Sequence, residues 1–342
     1  MKTASEEVTD MIFLSKWSGQ TLCAGAELGV FDCLSLDSTR SAGDIAAETG
    51  LDPMLLYRLL RALASLGLLD ETHAHLFSLT ERGAVLRTDA PGSLRYMAML
   101  EGGPEHWAIW KHVPAMIRDG RQNAFLREYG EMAFDHARAN PDGYGAVFGR
   151  AMSGFSAIQS IWVLEALQDY DFSSVASWCD VGGGHGHLMC SFLAAYPHLS
   201  GTVLDLPEVI AEKDQLWGNR LGLEERCRYV AGDMFKEVPG DADIYSLKMI
   251  LHDWSDRECM QILQAIRYGK ASGRIFIAEH IVPGPSESHF SKLFDIHMMC
   301  WGSGRERTEE EYASLLEASG WHFVACHYPL HASMGVVEGV AV

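Results

Sequence analysis

The sequence predicts an α/β protein in two parts: a mostly helical N-terminal half, then a parallel sheet with helices on both faces. Two observations carry this. Up to about residue 175 the apolar residues recur mostly at helical spacing, and beyond it short apolar runs alternate with helical stretches, strand then helix. Length agrees, because 342 residues exceed one ordinary domain. The boundaries read this way are 1–100 for an N-terminal domain, 101–174 for a helical linker with pocket helices, and 175–342 for the sheet domain.

The chain opens on Met1–Asp10, polar and acidic, unlike a secretory leader. Trp17–Phe31 reads as an amphipathic helix ending near Gly29, with Leu22, Ala26, Leu28 and Val30 among its apolar positions. A helix over 41–50 follows. Asp52 then caps a second helix that has Pro53 at its first position and runs to Leu66. Leu68–Asp70 and His75–Leu79 form a short hairpin, so residues 41–88 spell a winged helix. DNA readers use that shape, but here Arg58, Arg61, Arg82 and Arg87 are outnumbered by Asp44, Glu48, Asp52, Asp70, Glu71 and Glu81. The basic footprint that phosphate binding requires is missing. The apolar surface of Trp17–Phe31 predicts instead a packing platform for a homodimer formed through the N-terminal helices.

In the second half the predicted strands are Val175–Val181, Gly201–Asp205, Arg228–Asp233, Asp243–Met249 and Arg274–Glu279. The helices between are His187–Tyr196, Pro207–Trp217 and Asp256–Tyr268.

Composition narrows the function. A formal net charge of −19 argues against nucleic acid as the main partner, and no apolar run is long enough for a membrane span. The eight cysteines form no CxxC pair, which argues against zinc and fits reduced, mostly buried thiols of a cytoplasmic protein.

The strand ends carry the chemistry, because ligands of open α/β sheets bind outside the carboxyl ends of the strands. Those ends are Asp180, Asp205, Asp233, Lys248–His252 and Glu279, each polar after an apolar run. Helix capping alone accounts poorly for all five. The first turn, Asp180-Val-Gly-Gly-Gly-His-Gly-His187, offers bare amides to a nucleotide cofactor. Its GxGxG spacing departs from the dinucleotide GxGxxG, which disfavours a nicotinamide dehydrogenase, and Asp180 disfavours a pyrophosphate but attracts an ammonium group. S-adenosylmethionine has such a group, an adenosine and a sulfonium. Asp205 stands where an acid grips ribose hydroxyls, and Asp233 where one accepts from adenine, with Met234 packing on the ring. His185 and His187 read as helix-capping residues. His252 can take a proton from a substrate hydroxyl, with the Glu279 carboxylate on the neighbouring strand orienting the imidazole.

At these residues the sequence resembles the caffeic acid and hydroxyindole type of S-adenosylmethionine-dependent O-methyltransferase, bacterial small-molecule members included. The likeness covers nearly the whole chain through the winged-helix region, Asp180-Val-Gly-Gly-Gly-His-Gly, Leu204-Asp-Leu-Pro, Gly232-Asp-Met-Phe, Leu251-His-Asp-Trp-Ser-Asp, Ala278-Glu-His and Gly304-Arg-Glu-Arg-Thr. The resemblance implies a Rossmann-like methyltransferase domain, a winged-helix dimerisation domain that exchanges N-terminal helices, and a closing reversed hairpin at Trp321–Tyr328 and Met334–Val340. It implies cofactor contacts from Gly182, Gly184, Asp205, Leu206, Asp233, Met234, Lys248 and Trp254, with Ser156 a weaker one. It makes His252 the catalytic base flanked by Glu279 and Glu306, with no metal. Met152 lines the reacting methyl region. The wider pocket wall is drawn from Trp107, Trp110, Phe125, Phe134, Phe148, Phe155, Met298, Met299 and Trp301, of which about half should touch a small aromatic acceptor. Phe155, and the lack of an Asn in Met298-Met-Cys-Trp-Gly-Ser-Gly, depart from plant members and point away from plant phenylpropanoids. The other readings are methylation of a heteroaromatic nitrogen, and a winged-helix regulatory or ligand-binding protein.

Overall fold

The computed structural model describes residues 2–240, 242–268 and 272–342, so Met1 of the polar opening segment lies outside the described residues. By its contacts the chain divides into two units: Met1–Ile109 with Phe134–Phe155, and Trp110–Ala133 with Ser156–Val342. The stretch 101–174 is thus shared between them, and the long helix Tyr144–Ala166 begins in the first and ends in the second.

The first unit starts with α1 (Ala4–Glu27), thirteen residues before the expected Trp17. Thr3 caps it, and Thr3 and Glu6 form a capping box: the Thr3 hydroxyl accepts from the Glu6 amide while the Glu6 carboxylate accepts from the Thr3 amide at 2.7 Å. Polarity at the start of the chain therefore signals a helix start, which a search for apolar periodicity misses. The winged helix is as expected. In α2 (Ala42–Thr49) Ser41 and Asp44 close a second capping box, and Gly50 ends the helix with φ +75°. In α3 (Pro53–Ser65) the Asp52 carboxylate accepts from the amides of Met54 and Leu55. Strands β1 (Arg40–Ser41), β2 (Leu69–Glu71) and β3 (Leu76–Leu79) form an antiparallel sheet in the order β1-β3-β2. Ile45, Leu60, Leu63, Phe31 and Phe77 fill the core beneath it.

Met11, Ile12, Phe13, Leu14 and Trp17 of α1 are exposed, Met11 by 71% and Ile12 by 64%. A contiguous apolar row of that kind marks an association surface. The chain is expected to sediment as a dimer at micromolar concentration. Met11→Glu combined with Ile12→Glu should yield monomer without unfolding the sheet unit; a single-chain mass for the unaltered protein would refute the assignment.

The second unit holds a seven-stranded sheet. Its strands are β4 (Ser177–Val181), β5 (Ser200–Asp205), β6 (Cys227–Ala231), β7 (Ile244–Lys248), β8 (Arg274–Glu279), β9 (Trp321–His327) and β10 (Gly335–Ala341), in the order β6-β5-β4-β7-β8-β10-β9. The first five pair in parallel, and β10 joins β8 antiparallel, the reversed hairpin foreseen above. Because side chains alternate along a strand, each strand feeds two cores. Tyr245, Leu247, Ile275 and Ile277 pack in one, Ile244, Phe276 and Ala278 in the other.

One helix expectation fails. Pro207–Trp217 is no continuous helix but a turn of helix at Pro207–Ile210, a 3-10 turn at Lys213–Gln215 and another turn at Trp217–Arg220. Its polar groups are diverted to the glycine turn: the Trp217 amide donates to the His185 carbonyl at 2.9 Å, and the Glu212 carboxylate meets the His185 imidazole at 2.8 Å. Among the described residues no helix is long and apolar enough to cross a membrane.

Candidate active site

The polar strand ends gather on the carboxyl edge of β4, β5, β6, β7 and β8, as parallel pairing requires. Asp205 pairs with Ala231 two residues before Asp233, and Lys248 pairs with Ala278 beside Glu279. The turn after β4 is left-handed at Gly182, Gly184 and Gly186, with φ of +68°, +58° and +88°. A Cβ at Gly184 would meet nothing within 4 Å, whereas one at Gly182 would lie 2.5 Å from Ile250 Cδ1 and 3.9 Å from Met234 Sδ. The turn is thus open at Gly184 and closely packed at Gly182. Asp205 helps to hold it: Oδ2 accepts from the Gly184 amide and Oδ1 from the Leu206 amide, both at 2.7 Å.

The two histidines do not cap the helix that follows. Gly186 takes the cap position. His185 pairs with Glu212, and His187 is buried 4.5 Å from the Trp217 ring, where burial lowers its pKa to about 3.

Among the described residues, Asp180 Oδ2 leading into this turn, Gln159 Nε2 and the Nε1 of Trp217, whose ring packs on His187, are buried polar atoms without a hydrogen-bond partner. Asp180, expected to attract an ammonium group, is buried against Gly183. Its Oδ1 accepts from the Ser246 hydroxyl at 2.6 Å while Oδ2 has no partner, and burial pushes the carboxyl up to about 6. Gln159, on the helix Tyr144–Ala166, leaves Nε2 unpartnered and receives Lys248 Nζ on Oε1 at 3.2 Å. Burial pushes Lys248 down to about 8, against the opposing pull of Asp180 and Glu279. Orphaned groups at a built turn are what a ligand with an amino-acid end would satisfy, so the residues present fit S-adenosylmethionine.

Asp233, expected to meet adenine, is less free. Asp233 accepts from the Phe235 amide at 3.0 Å and pairs with Lys236 at 2.9 Å, which holds its carboxyl below the usual range. An incoming adenine amine would compete with Lys236. Trp254 stands edge-on to Phe235 with centroids 4.9 Å apart. Leu206 is 40% exposed, and Ser156 is half-buried on the long helix.

His252 follows β7 in the 3-10 turn Leu251–Asp253 and is buried. Its Nδ1 meets Glu306 Oε1 at 2.8 Å, while Glu279 Oε2 is 4.0 Å away. The direct partner is therefore Glu306, from a distant loop, rather than Glu279 on the adjacent strand. Glu279 Oε1 is occupied by the amides of Ile250 and Leu251, at 3.1 and 2.9 Å, so it fixes the backbone of the turn. On the other edge of the ring, Asp253 Oδ1 lies 3.8 Å from Nε2. Burial alone would lower the pKa of His252, but Glu279, Asp253 and Glu306 outweigh it and push it up to about 10. Burial in turn pushes Glu279 up to about 7 and Asp253 to about 6.

The expected pocket wall is divided between the units. Trp107, Phe134, Phe148, Met152 and Phe155 belong to the first; Trp110, Phe125, Met298, Met299 and Trp301 belong to the second. Phe125, Met298 and Trp301 are buried, with Phe125 edge-on to Trp301 at 5.6 Å. Those three serve as core. Trp107, Trp110, Phe134 and Met152 are exposed in part.

Gln159, Asp253 and Arg307 have no role that sequence reasoning assigns. Asp253 and Arg307 stand inside the motifs around His252 and Glu306, where adjacency to those two residues is the available signal. Gln159 has none, since its tie to Lys248 spans 89 positions.

A glycine turn on a parallel sheet, a carboxylate that tethers it from the next strand and a buried imidazole among carboxylates are the features of a group-transfer enzyme that uses a nucleoside cofactor. The chain belongs to the O-methyltransferases: residues 110–322 match the O-methyltransferase domain and residues 11–89 the O-methyltransferase dimerisation domain. It is an S-adenosylmethionine-dependent O-methyltransferase. It is 35% identical to a phenazine O-methyltransferase of Lysobacter antibioticus over 94% of this chain and 92% of that one. It is 30% identical to an 8-amino-8-demethylriboflavin N,N-dimethyltransferase of Streptomyces davaonensis, over 90% and 87%. The solved structure of a methyltransferase of calicheamicin biosynthesis, in its SAH-bound form, superposes with a TM-score of 0.84 at 28% identity and full coverage of both chains.

Proposed function

We propose that this enzyme methylates a hydroxyl of a small aromatic acceptor of secondary metabolism, in the cytoplasm, with His252 as general base. The observation that carries the reading is the buried contact of 2.8 Å between His252 Nδ1 and Glu306, which ties up one ring nitrogen and leaves Nε2 for the acceptor. When bound, S-adenosylmethionine supplies an electrophilic methyl group on a cationic sulfur. Gly182, Gly184, Asp180, Gln159 and Lys248 hold its amino-acid end, Asp205 and Leu206 its ribose, and Asp233, Met234 and Trp254 its adenine. Ser156 is a further contact. Trp110 and Met299 are the acceptor-contact candidates of the second unit, and Trp107, Phe148, Met152 and Phe155 those of the first. A reducing compartment fits eight cysteines of which none is in a disulfide.

The raised pKa shapes the base. At pH 7 most of the imidazole carries a proton, but the unprotonated fraction is a stronger base than ordinary histidine and close in pKa to a phenol. Turnover of a weakly acidic hydroxyl should therefore rise as pH climbs above 7, toward the folded-state pKa. Glu306→Gln removes one of the raising carboxylates, so the rising limb should move to lower pH. In kcat/KM profiles the ionisation of the free acceptor is common to both enzymes, so the displacement between the two profiles reports an enzyme group. Coincident profiles would defeat the base assignment. Offering a panel of phenols and aromatic amines, with mass spectrometry of the products, tests the acceptor class; methylation of nitrogen alone would overturn the hydroxyl reading.

A further inference from the structure

Besides Glu306 and Glu279, the loop that carries His252 is gripped by the residue next to Glu306. Arg307 is 1% exposed. Its Nη1 donates to the Leu251 carbonyl and its Nη2 to the Trp254 carbonyl, both at 2.9 Å. Those two carbonyls bracket His252 and Asp253. The far side of the same guanidinium is locked in place, with Nε and Nη2 donating to Asp256 Oδ1 at 3.0 and 2.8 Å. Asp256 opens the helix Asp256–Arg267 directly after the loop, so Arg307 spans its start, its end and the element it runs into.

The segment bearing Arg307 is itself fixed. Its carbonyl accepts from the Val282 amide at 2.9 Å, and the neighbouring Glu306 amide donates to Asp295 Oδ1 at 2.9 Å. Gly304 lies so close that a Cβ there would stand 1.8 Å from the His252 carbonyl oxygen. Two consecutive residues thus grip different parts of the same loop, since Glu306 holds the ring of His252 and Arg307 holds its backbone.

We infer that Arg307 is a positioning residue for methyl transfer, setting where His252 Nε2 meets the acceptor hydroxyl. The inference rests on the reading of His252 as base. A planar fork with donors on two edges meets two carbonyls and a carboxylate at once, which a lysine ammonium cannot do in the same geometry. A misplacement of about 1 Å at a reacting group costs on the order of 10²-fold in rate.

The test pairs two acceptors, a weakly acidic phenol that needs a base and a phenol already ionised at assay pH that does not. Arg307→Ala should lower kcat at saturating S-adenosylmethionine on the first by about 10²-fold and on the second far less. Arg307→Lys should fall between, with the same dependence on acceptor. A purely structural role would depress both acceptors alike, and that result, or no loss, overturns the inference. If the Ala variant does not fold, the Lys variant decides: an acceptor-selective loss supports the inference, and unselective loss or wild-type behaviour overturns it. His252→Ala measured in parallel separates the two claims. Should it show no acceptor selectivity, the base reading fails; should it show selectivity while the Arg307 variants do not, only the positioning role fails.

Discussion

His252→Ala should lower kcat on a weakly acidic hydroxyl by roughly 10²–10⁴-fold, the range general-base catalysis usually spans. The methyl-transfer step is an in-line displacement, so positioning supplies a larger share, up to about 7–11 kcal/mol, and that share survives the substitution. Three features make the loss specific to the base. The ring is buried, so bulk water is a poor substitute. Its Nδ1 is held by Glu306, which fixes the direction in which Nε2 points. Its carboxylate neighbours strengthen it as a base. The binding of S-adenosylmethionine should change little, because none of the contacts assigned to the cofactor involves this ring. Glu279→Gln should cost less, since its closer bonds go to backbone amides rather than to the ring. Stopped-flow or steady-state rates with calorimetric cofactor affinity check the set. A variant with near-normal kcat on a non-ionised phenol would remove His252 from the mechanism.

Asp205→Ala should act on the other side of the reaction, raising the dissociation constant of S-adenosylmethionine by about 10²-fold or more. Each hydrogen bond to a charged group contributes roughly 1.5–3 kcal/mol. The alanine loses the acceptor proposed for the ribose and also the bond from the Gly184 amide at 2.7 Å. The turn then loses a tether where it is otherwise open to solvent. Asp205→Asn should lose less, since one oxygen remains as acceptor. In both variants kcat at saturating cofactor should recover more fully than kcat/KM for the cofactor. Isothermal titration calorimetry with S-adenosylmethionine is the direct check. An unchanged dissociation constant for Asp205→Ala would remove this carboxylate from cofactor binding.

Much of this was legible in the chain. Alternating strands and helices beyond residue 175 predicted the parallel sheet, and the observed strands start and end within about two residues of the expected ones, because a strand buried on both faces must be a short apolar run. Asp52-Pro53 and Gly50 announced the winged helix through local rules of capping. The polar strand ends located the site, because a parallel sheet presents them all on one edge.

What the sequence could not decide depended on groups far apart along the chain. The helix read at Pro207–Trp217 breaks because its hydrogen-bonding groups are drawn to His185, a competition no local pattern records. The sequence places an acid before the glycine turn but does not say that Asp180 is buried against Gly183, since burial is set by what packs over a residue. Glu279 and Glu306 were both placed beside His252, but only the folded chain distinguishes 4.0 Å from 2.8 Å. By itself the sequence determined the strands of the sheet, the winged helix, the family and the residues that gather at the sheet edge. Tertiary structure alone decided which carboxylate holds the imidazole, which arginine holds its backbone and how far its pKa rises, because electrostatics and hydrogen bonds depend on distances that the order of residues does not contain.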